Sequence, residues 1–221
     1  MDLAQYIEHT LLKQDATKEA LVKLLEEAKT HNFKGVCVNS GNIVFAKEYL
    51  KDTSVKIVTV VGFPLGACIS EAKAFEAEKS IELGADEIDM VINVQSLKDK
   101  NYEYTQKDIE MVKAACKDKP LKVIIETDLL TKEEIVKSCE IIIKAKADFA
   151  KTSTGFVKNG VGAKVEDIKL MHETLKNTNV KIKASGGIKT KEQAIALVEA
   201  GASRLGTSSG VAIVSLAWCF I

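Results

Sequence analysis

Two lysines end short apolar runs, where a lysine is unusual. Lys151 closes the apolar part of "DFAKTSTGF" (148–156) and Lys183 that of "VKIKASGGI" (180–188). A lysine inside a fold is costly unless it is neutral or paired, because burial disfavours the ammonium form. A neutral amine attacks carbonyl carbons, which is how Schiff-base enzymes use lysine. The pair therefore predicts imine chemistry, with one amine attacking and the other charged; the alternative is two surface lysines or anchors for a carboxylate.

Two acidic residues accompany these lysines. Asp89 lies within the apolar run "DEIDMVIN" (86–93), and Glu126 follows the run "LKVII". A buried acid needs a partner, and a lysine ammonium is the obvious one. Asp89 is therefore either a proton relay or a member of an ordinary ion pair. Glu126 is either catalytic or a hydrogen-bond partner of the lysine cluster.

Two glycine- and serine-rich segments follow the last two apolar runs. "ASGGI" contains Gly186 and Gly187, and "GTSSG" (206–210) contains Ser208 and Ser209. In parallel barrels the loops after the last two strands often bind a phosphate through backbone N–H groups. Turn glycines are more often only turns. Together on neighbouring loops, the two segments predict phosphate binding.

Other kinds of site find less support. The three histidines show no metal-ligand spacing, with His31 and His172 predicted on helix exteriors. The cysteines are odd in number, widely spaced and without a C-x-x-C pair, which argues against disulfides and zinc; they are Cys37, Cys68, Cys116, Cys139 and Cys219. We expect no metal and no cofactor.

Composition limits the partners. Lys plus Arg and Asp plus Glu both number 31, and the charges are interspersed, so nothing indicates binding to nucleic acid or to an anionic membrane surface. No run approaches the ~18 apolar residues of a membrane span, and no signal peptide is apparent. We expect a cytoplasmic protein with small-molecule partners. The oligomeric state is left open, with a homodimer among the options.

The elements that must position these residues alternate along the chain. Val- and Ile-rich runs recur roughly every 28 residues, the length of one strand plus one crossover helix. They begin near residues 35, 55, 86, 121, 147, 180 and 203, with a short first strand within 6–12. Apolar residues at helical spacing fill the intervals, as in 17–29 and 131–143.

Helix starts and ends are also marked. Capping boxes occur at Thr131 with Glu134 and at Thr190 with Gln193. Gly84 and Gly201 are predicted to end helices. Lys146 occupies the equivalent position in a third helix-to-strand junction, where glycine would be expected. The pattern predicts a single-domain α/β protein over 1–221, a (β/α)8 TIM barrel of parallel strands. A doubly wound open sheet is the alternative, although it would be expected to carry a G-x-G-x-x-G or P-loop motif, and the chain has neither.

Six segments together resemble the deoxyribose-phosphate aldolase family. They are "VGFPLGA", "GADEIDMVINV", "LKVIIET", "DFAKTSTGF", "KASGGI" and "GTSSGVAIV", and their order and spacing match the family over roughly residues 7–214. The resemblance implies a class I, Schiff-base aldolase on a TIM barrel. Such an enzyme reversibly cleaves 2-deoxy-D-ribose 5-phosphate to D-glyceraldehyde 3-phosphate and acetaldehyde, without metal or organic cofactor.

The resemblance also implies roles for residues. Lys151 is similar to the Schiff-base lysine, Lys183 to the charged lysine that favours its neutral form, and Asp89 to the aspartate that moves protons through an ordered water. Cys37 matches a residue near the substrate. The phosphate loops of the family are matched by Gly186, Gly187, Ser208 and Ser209.

The chain departs from the family at several positions. Glu8 stands where the family usually has aspartate, close to the expected proton relay, and Ser40 where proline is common. Lys146 replaces a usual glycine, and Phe156 replaces a lysine that some members carry near the phosphate. The tail "SLAWCFI" lacks the C-terminal tyrosine that some relatives use.

Two other functions remain open at this point. One is a different enzyme on a phosphosugar, such as an isomerase or a transaldolase-like lyase. The other is a barrel that binds a phosphosugar without turnover, for which Glu8 is the main argument.

Overall fold

Eight parallel strands close into a ring in a computed structural model that describes residues 1–215. Each strand pairs with the next along the chain, and β8 pairs with β1. The strands are β1 (Ile7–Leu11), β2 (Gly35–Val38), β3 (Lys56–Val61), β4 (Glu87–Val91), β5 (Leu121–Ile124), β6 (Phe149–Lys151), β7 (Lys181–Ser185) and β8 (Arg204–Thr207). The closed ring confirms the (β/α)8 barrel, and the alternative of an open doubly wound sheet is wrong.

Helices connect the strands as predicted. They are α1 (Lys18–Thr30), α2 (Ile43–Tyr49), α3 (Ser70–Leu83), α4 (Val94–Lys98), α5 (Tyr102–Ala115), α6 (Lys132–Lys144), α7 (Val165–Leu175), α8 (Lys191–Glu199) and α9 (Gly210–Val214). The helices predicted over 17–29 and 131–143 correspond to α1 and α6. Both predicted capping boxes form, at the starts of α6 and α8.

Left-handed residues end several of the helices. Gly84 has a φ of 111° and Gly201 a φ of 122°, conformations that glycine adopts readily. Lys146 adopts a φ of 57° in the equivalent turn after α6. The turn geometry is therefore kept without the glycine, at the steric cost that a side chain adds in this conformation.

Alternation along each strand separates two environments. On β4, Ile88 and Met90 belong to the large apolar core that packs the strands against the helices. Asp89, between them, points to the opposite face, into the ring. Within residues 1–215, a small second cluster of buried apolar residues lies apart from the main core; it consists of Leu12, Cys37, Val58 and Val60.

Charged side chains fill much of the remaining interior of the ring. They come from β1, β4, β5, β6 and β7, and each is at most 3% exposed; they are Glu8, Asp89, Lys122, Lys151 and Lys183. Buried charges are tolerated only where they are paired. The inside of the barrel is therefore an ionic cluster on one side and an apolar cluster on the other.

A second buried ion pair lies outside the ring, between α3 and α5. The Nζ atom of Lys73 is 2.6 Å from Oδ2 of Asp108 and donates to the carbonyl of Val91 at 3.0 Å. Both side chains are essentially inaccessible to solvent. The pair links two helices to the end of β4.

Across residues 1–215, the structure contains no helix of the length and hydrophobicity required to cross a membrane.

Candidate active site

One carboxylate oxygen lies at the centre of the candidate site. The Nζ atoms of Lys151 and Lys183 each lie 2.7 Å from Oδ2 of Asp89, and Nζ of Lys122 lies 3.1 Å from Oδ1. Lys151 and Lys183 are register partners on β6 and β7. The predicted proximity of the two lysines and their pairing with Asp89 are therefore confirmed, and the alternative of surface lysines is wrong.

Glu8 reaches the same cluster from β1. Its carboxylate accepts a hydrogen bond from Lys183, and its Oε1 atom lies 3.6 Å from Lys122 and 3.5 Å from Nε of Arg204. The longer side chain at this position thus bridges several cations. The residue lies next to the expected proton relay, as the sequence suggested.

Lys122 is the main residue that the sequence reasoning missed. It lies in the middle of β5, fully buried, and forms a further ion pair with Glu87. The sequence does indicate Lys122, because a lysine in the apolar run "LKVII" is as unusual as the lysine that ends the apolar part of "DFAKTSTGF".

The charges of the cluster shift the pKa values of Asp89 and Lys183 so that both residues stay ionised. Although burial alone raises the pKa of Asp89, the ammonium groups of Lys122, Lys151 and Lys183 hold it well below its usual range. Burial by itself lowers the pKa of Lys183, but the Asp89 and Glu8 carboxylates raise it above that of an ordinary lysine. Asp89 is therefore ionised and Lys183 charged at neutral pH.

A cavity of about 270 Å³ opens above this cluster at the carboxyl ends of the strands. Lys151 lines it, whereas Asp89 and Lys183 lie below Lys151 and outside its lining. All four predicted phosphate-site residues also line it; they are Gly186, Gly187, Ser208 and Ser209. One cavity thus joins the lysine amine to the two predicted phosphate loops.

The glycine turn after β7 has the backbone that the phosphate prediction requires. Gly186 and Gly187 have φ values of 83° and 73°. Ser208 is exposed, and Ser209 is half-buried with its N–H donated to the hydroxyl of Thr207 at 2.9 Å. The N–H of Ser209 is thus already used inside the protein, while its side chain still lines the cavity.

Three of the residues that line the cavity were not predicted from the sequence, and they are Lys13, Ser153 and Lys189. The exposed side chains of Lys13 and Lys189 stand at its rim. Phe156 lines its wall and packs edge-on against Phe63, with ring centroids 5.1 Å apart. Ser153 contributes a buried hydroxyl with no hydrogen-bond partner among the described residues.

Glu126 holds the loop after β6 and does not bond the lysine cluster. Its carboxylate accepts hydrogen bonds from the backbone N–H and the hydroxyl of Thr154. Burial raises its pKa in spite of these bonds. Of the two alternatives for Glu126, the hydrogen bond to the lysine cluster is therefore wrong, and the catalytic role stays a prediction. Glu126 itself adopts a left-handed φ of 62°.

The structure does not bring Cys37 to the cavity wall. Its thiol is fully buried on β2, beside Val58 and Val60 in the small interior cluster. Burial raises the pKa of this thiol, although Lys183 lies near enough to oppose the shift. Its proximity to substrate stays a prediction.

The histidines lie apart from the cluster. His9 is buried and bonds Glu27 at 2.7 Å, while His172 is exposed on α7. His31 caps the end of α1, half-buried and stacked on Phe33, so its predicted exterior position is only partly correct. Within residues 1–215, no group of three or more His, Cys, Asp and Glu side chains could hold a metal ion. Cys219 and the rest of the tail after Ser215 lie outside the described residues.

Comparison with known proteins identifies the class to which this barrel and its lysine site belong. The model of the DeoC/LacD family aldolases matches residues 3–215. The chain belongs to this family.

Individual relatives are more specific. The chain is 55% identical over 214 residues to the deoxyribose-phosphate aldolase of Finegoldia magna, covering 97% of this chain and 99% of that protein. It is 53% identical over 218 residues to the deoxyribose-phosphate aldolase of Thermococcus gammatolerans, covering 97% and 96%. The tetrameric deoxyribose-phosphate aldolase from Aeropyrum pernix is 30% identical and superposes with a TM-score of 0.86, covering 96% and 88%.

Proposed function

We propose that this protein is a class I aldolase that reversibly cleaves 2-deoxy-D-ribose 5-phosphate to D-glyceraldehyde 3-phosphate and acetaldehyde. The observation that carries the proposal is the position of the Lys151 amine, which lines the cavity and rests on a buried carboxylate shared with a second lysine. The relatives named above support the choice of substrate. Such a role belongs to the breakdown of deoxyribose phosphates.

Lys151 is the residue that bonds to the substrate in this proposal. Its neutral amine adds to the C1 carbonyl, and loss of water gives a protonated imine. Loss of a proton from the C3 hydroxyl then breaks the C2–C3 bond, and the electron pair moves into the imine to form an enamine. D-Glyceraldehyde 3-phosphate leaves, the enamine is protonated on carbon, and hydrolysis releases acetaldehyde.

The neighbouring charges suit these steps. Lys183 and Lys122 keep the buried Asp89 carboxylate paired with cations while the Lys151 amine is bonded to substrate. The strongly lowered pKa of Asp89 makes it a poor store for a proton at neutral pH. We therefore assign Asp89 the task of accepting and passing protons transiently, directly or through water, with the Lys183 ammonium as the proton reservoir.

The other end of the cavity suits the phosphate. Backbone N–H groups of a glycine turn and serine hydroxyls bind anions without a metal. Gly186, Gly187, Ser208 and Ser209 are the proposed contacts, and the exposed Lys13 and Lys189 add positive charge at the rim.

Trapping the imine tests the proposal. The protein is incubated with acetaldehyde and borohydride, digested and analysed by mass spectrometry. We expect a reduced two-carbon adduct on Lys151 and none in a Lys151→Arg variant, which keeps the positive charge beside Asp89. An adduct only on other lysines would overturn the assignment.

Activity separates this proposal from its alternatives. Acetaldehyde release from 2-deoxy-D-ribose 5-phosphate distinguishes it from a phosphosugar isomerase or a transaldolase-like lyase. A barrel that only binds phosphosugars would show saturable binding without turnover, with affinity unchanged in Lys151→Ala. A cytoplasmic location and a homodimer stay predictions, which cell fractionation and sedimentation would test.

A further inference from the structure

The loop after β6, residues 154–162, is fastened at both ends to a single turn. At its start, the backbone N–H of Thr154 donates to both oxygens of Glu126 at 3.2 Å. At its end, the backbone N–H of Gly162 donates to Oδ2 of Asp128 at 2.7 Å. Glu126 and Asp128 lie in the same short 3-10 turn after β5, so this turn fixes both ends of the loop.

The far end of this loop packs directly on the predicted phosphate turn. The N–H of Ala163 donates to the carbonyl of Gly186 at 3.1 Å. A β-carbon at Gly162 would lie only 2.4 Å from the carbonyl carbon of Gly186, and one at Gly187 only 2.2 Å from the carbonyl oxygen of Val161. The two backbones are therefore in contact with no side chain between them, and the position of one determines that of the other.

We propose that Asp128 is a positioning residue for the substrate phosphate, acting through the backbone of Gly162 on the turn of Gly186 and Gly187. The proposal rests on the proposed function, which assigns the phosphate to that turn. Backbone N–H groups bind an anion well only when they converge on one point. Loss of the Asp128 bond would free the loop end and let the turn move away from that geometry.

The hydrogen bond, and not the ion pair of Asp128, carries this effect. Asp128 also lies 3.3 Å from Nζ of Lys164, but the Lys164 side chain is 34% exposed while that of Asp128 is 8% exposed. A half-exposed ion pair is screened by solvent and contributes little. The N–H of Gly162 is buried, and removing its acceptor leaves it unpaired.

Kinetics with two substrates test the proposal. For each variant, kcat/KM is measured for 2-deoxyribose 5-phosphate and for 2-deoxyribose, and their ratio gives the preference for the phosphate. We expect Asp128→Ala to lower this ratio by roughly tenfold through KM of the phosphorylated substrate, with the sugar unaffected. Asp128→Asn should keep the ratio, because its amide oxygen still accepts from Gly162. Lys164→Met removes the ion pair to Asp128, and a longer one to Asp167, but keeps the hydrogen bond to Gly162. It is the matched control and should also keep the ratio.

A second variant changes the contact between the loop end and the phosphate turn directly, without altering Asp128. Gly162→Ala places a methyl group against Gly186 and should lower the ratio as Asp128→Ala does, so it decides the question if Asp128→Ala does not fold. An unchanged ratio in these variants, or an equal loss for both substrates, would overturn the role of Asp128. A wild-type protein without any preference for the phosphate would instead overturn the proposed phosphate site, and the inference with it.

Discussion

Lys151 and Lys183 donate to the same oxygen of one carboxylate, each at 2.7 Å from Oδ2 of Asp89. Their strands are neighbours and the two residues are register partners, so both side chains reach the same carboxylate inside the ring, although only Lys151 lines the cavity. The amine that lines the cavity is therefore never independent of the charge on the lysine below it.

Removing the charge of Lys183 should slow imine formation at neutral pH. Lys183→Leu removes one of the ammonium groups that hold the pKa of Asp89 low, and with it the proposed proton reservoir. We expect a loss of at least about 100-fold in kcat/KM near pH 7, and the acid limb of the pH profile should move to higher pH as the pKa of Asp89 rises. The pH dependence of borohydride trapping measures this directly.

Lys183→Arg provides the control for that experiment, because it keeps the positive charge next to Asp89. It should follow the pH profile of the wild type more closely than Lys183→Leu does. A profile for Lys183→Leu with the shape of the wild type would contradict the electrostatic role.

Glu8 should make the stability of the barrel depend on acid. Burial raises its pKa, but Lys122 and Lys183 lower it more, so the folded state favours the ionised form. The stability that ionised Glu8 adds is fully present above the pKa of a glutamate in the unfolded chain, about 4.3. It is lost as the pH falls through the lower pKa that Glu8 has in the folded protein. Glu8→Gln should therefore be less stable at pH 7, by about 3–5 kcal/mol, and should lose less on acidification.

Urea unfolding at pH 7 and at several values below 4.5 checks this expectation. Glu8→Asp keeps the charge and should keep the steep acid dependence. Equal slopes for wild type and Glu8→Gln would show that Glu8 is not the group responsible.

The buried pair of Lys73 and Asp108 should matter for stability and not for chemistry. Lys73→Met leaves a buried carboxylate unpaired and should cost about 3–5 kcal/mol in the free energy of unfolding. Replacing both residues, as Lys73→Met with Asp108→Leu, should recover most of the loss, because neither charge is then stranded.

An exposed pair of the same length serves as the comparison. Lys107 lies 2.7 Å from Glu103, with side chains 67% and 80% exposed. Lys107→Met should leave the unfolding midpoint unchanged. A similar loss at both sites would mean that burial is not what makes the Lys73 pair important.

Thiol reactivity should follow burial. Burial raises the pKa of Cys37, and it raises those of Cys116 and Cys139 to about 12, whereas Cys68 is exposed. In a Cys219→Ser background, iodoacetamide at pH 8 should label one residue of the native protein, Cys68, and four after unfolding. Native labelling of Cys37, detected by peptide mapping, would contradict its enclosed position.

The barrel itself was predictable because its signals are local and repeated. The strands β2 to β5 coincide with Val- and Ile-containing runs, and each predicted capping box forms where the sequence has it. The turn after α6 also forms, although Lys146 stands there in place of glycine, because Lys146 adopts the left-handed conformation that glycine adopts after α3 and α8. Strict alternation of strand and helix then left few topologies to consider.

The candidate site was predictable in part, from charged residues that lie within an apolar run or at its end. A charged residue in such a position can be recognised from the sequence alone, and this applies to Lys151, Lys183 and Asp89. The bridging role of Glu8 depends on which cations surround its strand, and the partner of Glu126 depends on a left-handed backbone. Neither is encoded by spacing.

The large apolar core lies outside the ring of strands, while much of the inside is occupied by paired ions. Proton transfers inside the ring therefore take place among the paired ions, and the apolar core between the strands and the helices takes no part in them. The apolar packing and the reacting groups occupy opposite faces of the same strands, so a substitution inside the ring leaves the outer packing contacts in place as long as the ions that remain are still paired.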